Sequence, residues 1–208
     1  MSRIFRRLSS SLRSLSMRLG KSEACNVVVV GLDNSGKSTM INHLQQAKAE
    51  DDEPYIPEEV APTVGFRVET FRRKNVSFTA YDMSGQGRYR NLWAQHYTEI
   101  HAIVFVIDAT DRMRLCVARD ELEMVLDDPS VRSRPVPILF LCNKKDCADA
   151  MGPAECVAKM ELEKIRERPW SIISTNARNG DGIEEAIEWL ADSISFDSSS
   201  ASIESKHK

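Results

Sequence analysis

The residues Gly31-Leu32-Asp33-Asn34-Ser35-Gly36-Lys37-Ser38 have the spacing of a loop that holds phosphate: two glycines with four residues between them, then Lys and Ser. The glycines let backbone N–H groups along Gly31, Asp33, Asn34, Ser35, Gly36 and Thr39 converge on phosphate oxygens. Lys37 brings a point charge to the outer phosphates, and the Ser38 hydroxyl is a ligand for Mg²⁺. A chance lysine after a glycine turn is the alternative. Against it, the apolar run Val27–Val30 precedes the stretch and helical spacing from Met40 to Gln46 follows it. This loop implies a nucleotide without choosing the base.

The base is chosen by Asn143-Lys144-Lys145-Asp146, directly after the apolar run Ile138–Cys142. A carboxylate at Asp146 accepts from both N1–H and the exocyclic amine of guanine, whereas adenine would set an acceptor against it. The stem of Lys144 suits the face of the base, and Asn143 suits a tie to the phosphate loop. Such a tetrad also occurs on ordinary solvated loops; it gains meaning from the phosphate loop ahead of it.

Two stretches between these motifs have the groups to sense a third phosphate. Pro62-Thr63-Val64-Gly65-Phe66 offers a hydroxyl at Thr63 as a second Mg²⁺ ligand, and Asp82-Met83-Ser84-Gly85-Gln86 follows a strand-like run ending at Tyr81. Asp82 would hold the metal through its water shell, the Gly85 N–H would meet the γ-phosphate, and Gln86 would orient the attacking water. A plain polar loop residue is the alternative for Gln86. No motif supplies an arginine in cis, so hydrolysis is expected to be slow and to need an activating protein. Arg88 and Arg90 read as solvated side chains suited to partner contacts.

These loops need a scaffold. Strand-like runs at Asn26–Val30, Val76–Tyr81, Ile103–Ile107, Pro137–Cys142 and Ile172–Ile173 alternate with helical spacing at Met40 to Gln46, Val117 to Leu126, Val157 to Ile165 and Ile183 to Ile194. That order predicts an α/β fold, a mostly parallel sheet with helices on both faces. Val68–Phe71 and Val76–Tyr81, joined by a short polar stretch, predict an antiparallel hairpin at one edge. Acidic, proline-bearing residues 49 to 62 predict a long irregular loop.

With 208 residues and a net charge of -3, the chain suits one such domain and argues against nonspecific nucleic-acid binding. Its five cysteines lack close pairs and read as reduced thiols. No apolar run is long enough to span a membrane. We divide the chain into a basic amphipathic helix at 1–22, a domain at 23–195 and a Ser-rich, disordered tail at 196–208. In the first segment, Ile4, Phe5, Leu8, Leu12, Leu15 and Leu19 follow helical spacing among arginines with no acid, which suits an interfacial helix on anionic lipid. A transit peptide, or a helix packed on its own domain, fits the same composition.

The wording of these motifs, with Asp108-Ala109-Thr110-Asp111-Arg112, resembles the Arf and Arf-like small GTPases over residues 24 to 194. The resemblance implies a P-loop GTPase fold of six strands, GTP/GDP and Mg²⁺ as ligands, an exchange factor, and an inter-switch hairpin that shifts register with nucleotide. It also implies that the Ala177 N–H meets the guanine O6. Residues 82 to 93, with Ser84 where most of the family has glycine, resemble a ciliary branch. That branch implies recruitment of the BBSome coat and residence on membranes of the cilium, basal body or flagellum. Two features depart from the family. Ser2 stands where a myristoylated glycine is usual. Phe66, Tyr81 and His96 occupy an effector surface that is usually Phe, Trp and Tyr. Another coat or tether as effector, or a scaffold with little hydrolysis, is the competing reading; a metabolite kinase would need an arginine-rich lid that the sequence lacks.

Overall fold

The computed structural model describes residues 23–46, 60–73 and 75–194. The amphipathic segment 1–22, most of the acidic loop and the 196–208 tail lie outside the described residues.

Four consecutive valines end the first strand, β1 (Glu23–Val30), and all four are buried. A strand with no polar face needs cover on both sides, and β1 lies inside the sheet between β3 (Val76–Met83) and β4 (Ala102–Asp108), parallel to both. Next come β5 (Ile138–Asn143) and β6 (Trp170–Thr175), again parallel. The remaining strand, β2 (Phe66–Arg73), pairs antiparallel with β3 and forms the edge, giving the order β2-β3-β1-β4-β5-β6. The six-stranded, mostly parallel sheet with one antiparallel edge is the expected fold.

Side chains alternate across each strand, so one sheet feeds two cores. Val28, Phe105 and Phe140 face Leu122 and Val125 of α2 (Leu115–Asp127), together with Trp93 and Tyr97. Val29, Val104 and Leu141 face Met40 and Leu44 of α1 (Lys37–Gln46) and Ile187 and Leu190 of α5 (Ile183–Ser193). Each large side chain buried this way contributes about 1.5–3 kcal/mol. Short helices α3 (Pro129–Arg132) and α4 (Pro153–Lys159) are the other α-helices among the described residues.

Two expectations fail locally. The helix read over Val157 to Ile165 ends as α4 at Lys159; Glu161 adopts a left-handed backbone at φ 54, and a single 3₁₀ turn, Leu162–Lys164, follows. Residues Gly87–His96, for which no element was read, form a 3₁₀ segment. Several strand ends also run one to three residues beyond the apolar runs, because pairing with a neighbour continues where hydrophobicity stops.

The phosphate loop, the stretch from Asp108, and the loops carrying Gly85, Asp146 and Ala177 leave the carboxyl ends of β1, β4, β3, β5 and β6, and the stretch 62–66 enters the antiparallel β2 at the same edge of the sheet. In an open α/β sheet that is where ligands bind.

Candidate functional site

A cleft along this edge has two lobes that share Asn34, Gly36, Thr39 and Val60. The first is lined by Lys37, Ser38, Thr63, Gly85 and Gln86, and the second by Asn143, Lys144, Asp146, Ala177 and Arg178.

The first lobe starts at the turn between β1 and α1. Gly36 has φ +99, and a Cβ there would lie 2.2 Å from the Asn143 amide nitrogen, so both conformation and space demand glycine. Lys37 points back over the loop and its Nζ donates to the Leu32 carbonyl at 2.8 Å. Burial pulls this ammonium down to about 8, despite the attraction of Asp82 and Asp33. Phosphate is the charge that would reverse that penalty.

Three oxygens crowd together beside it. Ser38 Oγ donates to Asp82 Oδ2 at 2.6 Å, Thr63 Oγ1 donates to the same oxygen at 3.3 Å, and the two hydroxyls stand 3.0 Å apart. Parallel pairing sets Asp82 opposite Val29, two residues from the loop. The carboxylate is buried, its Oδ1 has no hydrogen-bond partner among the described residues, and desolvation raises its pKa even though Ser38 and Lys37 oppose the shift. Clustered hydroxyl and carboxylate oxygens with an orphaned acceptor are a donor set for a hard divalent cation, so these residues fit Mg²⁺.

Gly85 closes the lobe. A Cβ on it would lie 2.2 Å from the Asp33 amide nitrogen, so the loop after β3 packs directly on the phosphate loop. Ser84, buried, accepts from Trp93 Nε1 at 2.9 Å through its carbonyl, while its N–H donates to Gly65. Gln86 lines the cleft, and its Oε1 accepts from Arg88 Nε at 3.3 Å.

The second lobe is braced by protein alone. Asn143 Nδ2 donates to the Ser35 carbonyl at 2.8 Å; its Oδ1 accepts from the Ala177 N–H at 3.0 Å and from Thr175 Oγ1 at 3.2 Å. The tie from Asn143 to the phosphate loop is thus present, and the Ala177 amide is engaged within the protein. Lys144, at φ 67, pairs with Asp108 at 2.7 Å. Asp146 is exposed at the mouth of the lobe.

Phe66, Tyr81 and His96 come together on the flank, with His96 4.6 Å from Phe66 edge-on and 4.5 Å from Tyr81 stacked. Phe66 is exposed, as are Val64, just before the edge strand, and Val68 on it. Burial lowers the His96 pKa. One reading is corrected: Arg90 is not a solvated arginine. Its side chain is 15% exposed, paired with Glu121 at 2.6 Å and bonded to the Gly85 carbonyl at 2.8 Å. No local signal could have shown this, since Glu121 lies 31 residues away.

The sequence profile of the ADP-ribosylation factor family matches residues 9–194. ADP-ribosylation factor-like protein 6 of Danio rerio is 43% identical over 174 residues, 84% of this chain and 90% of its own. The Caenorhabditis elegans protein of the same name is 40% identical over 185 residues, 89% of this chain and 93% of its own. Among solved structures, the Arl6 BBS3 small GTPase of Trypanosoma brucei, with the nucleotide analogue GppNp bound, superposes with a TM-score of 0.72. It is 36% identical and the match covers 81% of this chain and 96% of that one.

Proposed function

The chain belongs to the ADP-ribosylation factor family of small GTPases, and from that premise we propose that it is a slow GTP/GDP switch recruiting the BBSome to ciliary membranes in its GTP form. The observation that carries the switch is the meeting of Ser38, Thr63 and Asp82 within hydrogen-bond distance. Thr63 belongs to the loop after the acidic stretch and Asp82 to the end of β3, so one small volume joins both loops to the phosphate site.

Ser38 and Thr63 would hold Mg²⁺ directly and Asp82 through water; the ion supplies neutralisation of charge on the β- and γ-phosphates. Lys37 leaves the Leu32 carbonyl for the outer phosphates. The Gly85 N–H and the Thr63 hydroxyl close on the γ-phosphate, and Gln86 orients the attacking water by exchanging its contact with Arg88 for one with that water. Asn143, Lys144 and Asp146 read guanine, and the Ala177 N–H joins them by exchanging its bond to Asn143 Oδ1 for one to the guanine O6. Hydrolysis removes the group that both loops grip, and an activating protein supplies the missing cation. An exchange factor resets the nucleotide.

Phe66, Tyr81 and His96, with Val64 and Val68 alongside, form the effector surface. The 1–22 segment acts as a peripheral anchor on anionic membrane, through Ile4, Phe5, Leu8, Leu12, Leu15 and Leu19; 23–195 is the GTPase domain and 196–208 a tail. The family similarity to ADP-ribosylation factor-like protein 6 supports the ciliary branch.

The test is binding of purified BBSome to the full chain loaded with a non-hydrolysable GTP analogue or with GDP. Binding confined to the analogue is expected, and Gln86→Leu should keep that binding while losing hydrolysis stimulated by an activating protein. Equal binding in both states would favour a scaffold; GTP-selective binding to another coat would move the protein to a different branch.

A further inference from the structure

A chain of polar contacts runs from α2 to the loop that carries Gly85. Arg90 Nε donates to the Gly85 carbonyl at 2.8 Å and its Nη1 donates to Glu121 Oε1 at 2.6 Å. Its Nη2 lies 3.8 Å from Asp33 Oδ1, in the phosphate loop. Glu121, on α2, is only 13% exposed on its side chain. Arg114, at the start of α2, holds the same Asp33 oxygen at 2.9 Å and is itself fixed by Asp111 at 2.5 Å. Two arginines from separate segments thus converge on one residue of the phosphate loop, and Gly85 packs against that residue's amide with no room for a Cβ.

We infer that Arg90, anchored on Glu121, is a positioning residue for the third phosphate, fixing the peptide between Gly85 and Gln86 against the phosphate loop. The Gly85 carbonyl belongs to the peptide that leads into Gln86, and Gly85 itself supplies the N–H expected to face the γ-phosphate. Holding that carbonyl outward therefore sets both neighbours. A guanidinium can bond a carbonyl and a carboxylate at once through its rigid fork; an ammonium at the end of a flexible stem cannot hold the same two directions. Glu121 is what makes the arrangement stable, because a half-buried guanidinium without its carboxylate would turn to water. In the switch reading Gly85 meets only the third phosphate, so the contact weighs on GTP and leaves GDP alone. The inference rests on the switch reading above, in which Gly85 meets the γ-phosphate.

The experiment measures dissociation of fluorescent GppNHp and fluorescent GDP from the full chain in the wild type, Arg90→Gln, Arg90→Lys, Glu121→Gln and the double variant Arg90→Gln/Glu121→Gln. Loss of one charge-assisted hydrogen bond corresponds to about tenfold. Arg90→Gln should therefore release the GTP analogue about tenfold faster while GDP release changes by less than about twofold. Glu121→Gln should act in the same direction, the double variant should be no worse than Arg90→Gln, and Lys should restore only part of the retention. Equal acceleration of both nucleotides would make Arg90 a plain structural tie and overturn the inference. So would unchanged release of the analogue, full rescue by Lys, or additive effects in the double variant. Should Arg90→Gln fail to fold, Glu121→Gln and Arg90→Lys decide by the same ratio. A wild type that binds partners equally in both states sinks the switch reading; a wild type that discriminates, with an Arg90→Gln that discriminates equally, sinks only the role of Arg90.

Discussion

The two lobes of the cleft are built in opposite ways. Around Asn143 every polar atom meets another part of the protein: a carbonyl of the phosphate loop, a hydroxyl of β6 and the Ala177 amide. Around Asp82 the oxygens meet mainly each other, one carboxylate oxygen is left over, and a buried ammonium lies nearby with its pKa pulled down. The Asn143 lobe is complete as protein. The Asp82 lobe is complete only with charge brought from outside. A binding site can therefore be rigid where it recognises what never changes, the base, and unsettled where it must respond to what does, the phosphates.

Breaking the braced lobe should cost the most. Asn143→Ala removes three hydrogen bonds and leaves a buried carbonyl and amide unpaired, so the GDP-loaded protein should lose about 3–5 kcal/mol in urea unfolding. A loss under about 1 kcal/mol would mean that the brace is incidental. The charge-dependent lobe should respond to ions instead. Ser38→Asn should weaken GTP-analogue binding about 100-fold in Mg²⁺ and make chelation with EDTA nearly without further effect, read by nucleotide dissociation; a variant as sensitive to EDTA as the wild type would take Ser38 out of the metal site. The smallest effect is in pH. Lys37 releases its proton near pH 8 in the folded protein but near 10.5 when unfolded. Between those values the unfolded chain binds the extra proton, so stability of the nucleotide-free protein rises with pH, by at most about 1.4 kcal/mol per pH unit. Lys37→Met should lack that rise in denaturation measured from pH 8 to 10.5, and matching slopes for both proteins would contradict the burial cost assigned to Lys37.

The same contrast explains what could be read from the sequence. The phosphate loop and the Asn143 to Asp146 tetrad were legible because backbone geometry and base chemistry fix residue types at short spacing. The buried strands were legible as unbroken apolar runs. The 3₁₀ segment Gly87–His96 was not, since its anchors Leu92 and Trp93 sit among Arg88, Arg90, Asn91 and Gln95 without a 3.6-residue period. The break after α4 was hidden because apolar spacing continues through Glu161, whose left-handed backbone leaves no mark in hydrophobicity. Arg90 was misjudged for a different reason: its charge partner is distant in sequence, and only the packing of the 3₁₀ segment against α2 brings them together. Phe66, Tyr81 and His96 follow from the resemblance, and His96 does stack on Tyr81 and meet Phe66 edge-on, though hydrophobic pattern alone would not have joined a strand edge to a histidine.

The hydrogen bond from Trp93 to the Ser84 carbonyl has a practical side. Its indole is buried at 2% exposure and tied to the backbone one residue before Gly85, whereas Trp170 and Trp189 lie on β6 and α5, away from both lobes. Indole emission depends on the polarity and hydrogen bonding of its N–H surroundings. The protein thus carries a native optical reporter wired to the loop proposed to meet the third phosphate, beside two indoles placed outside the residues that line either lobe.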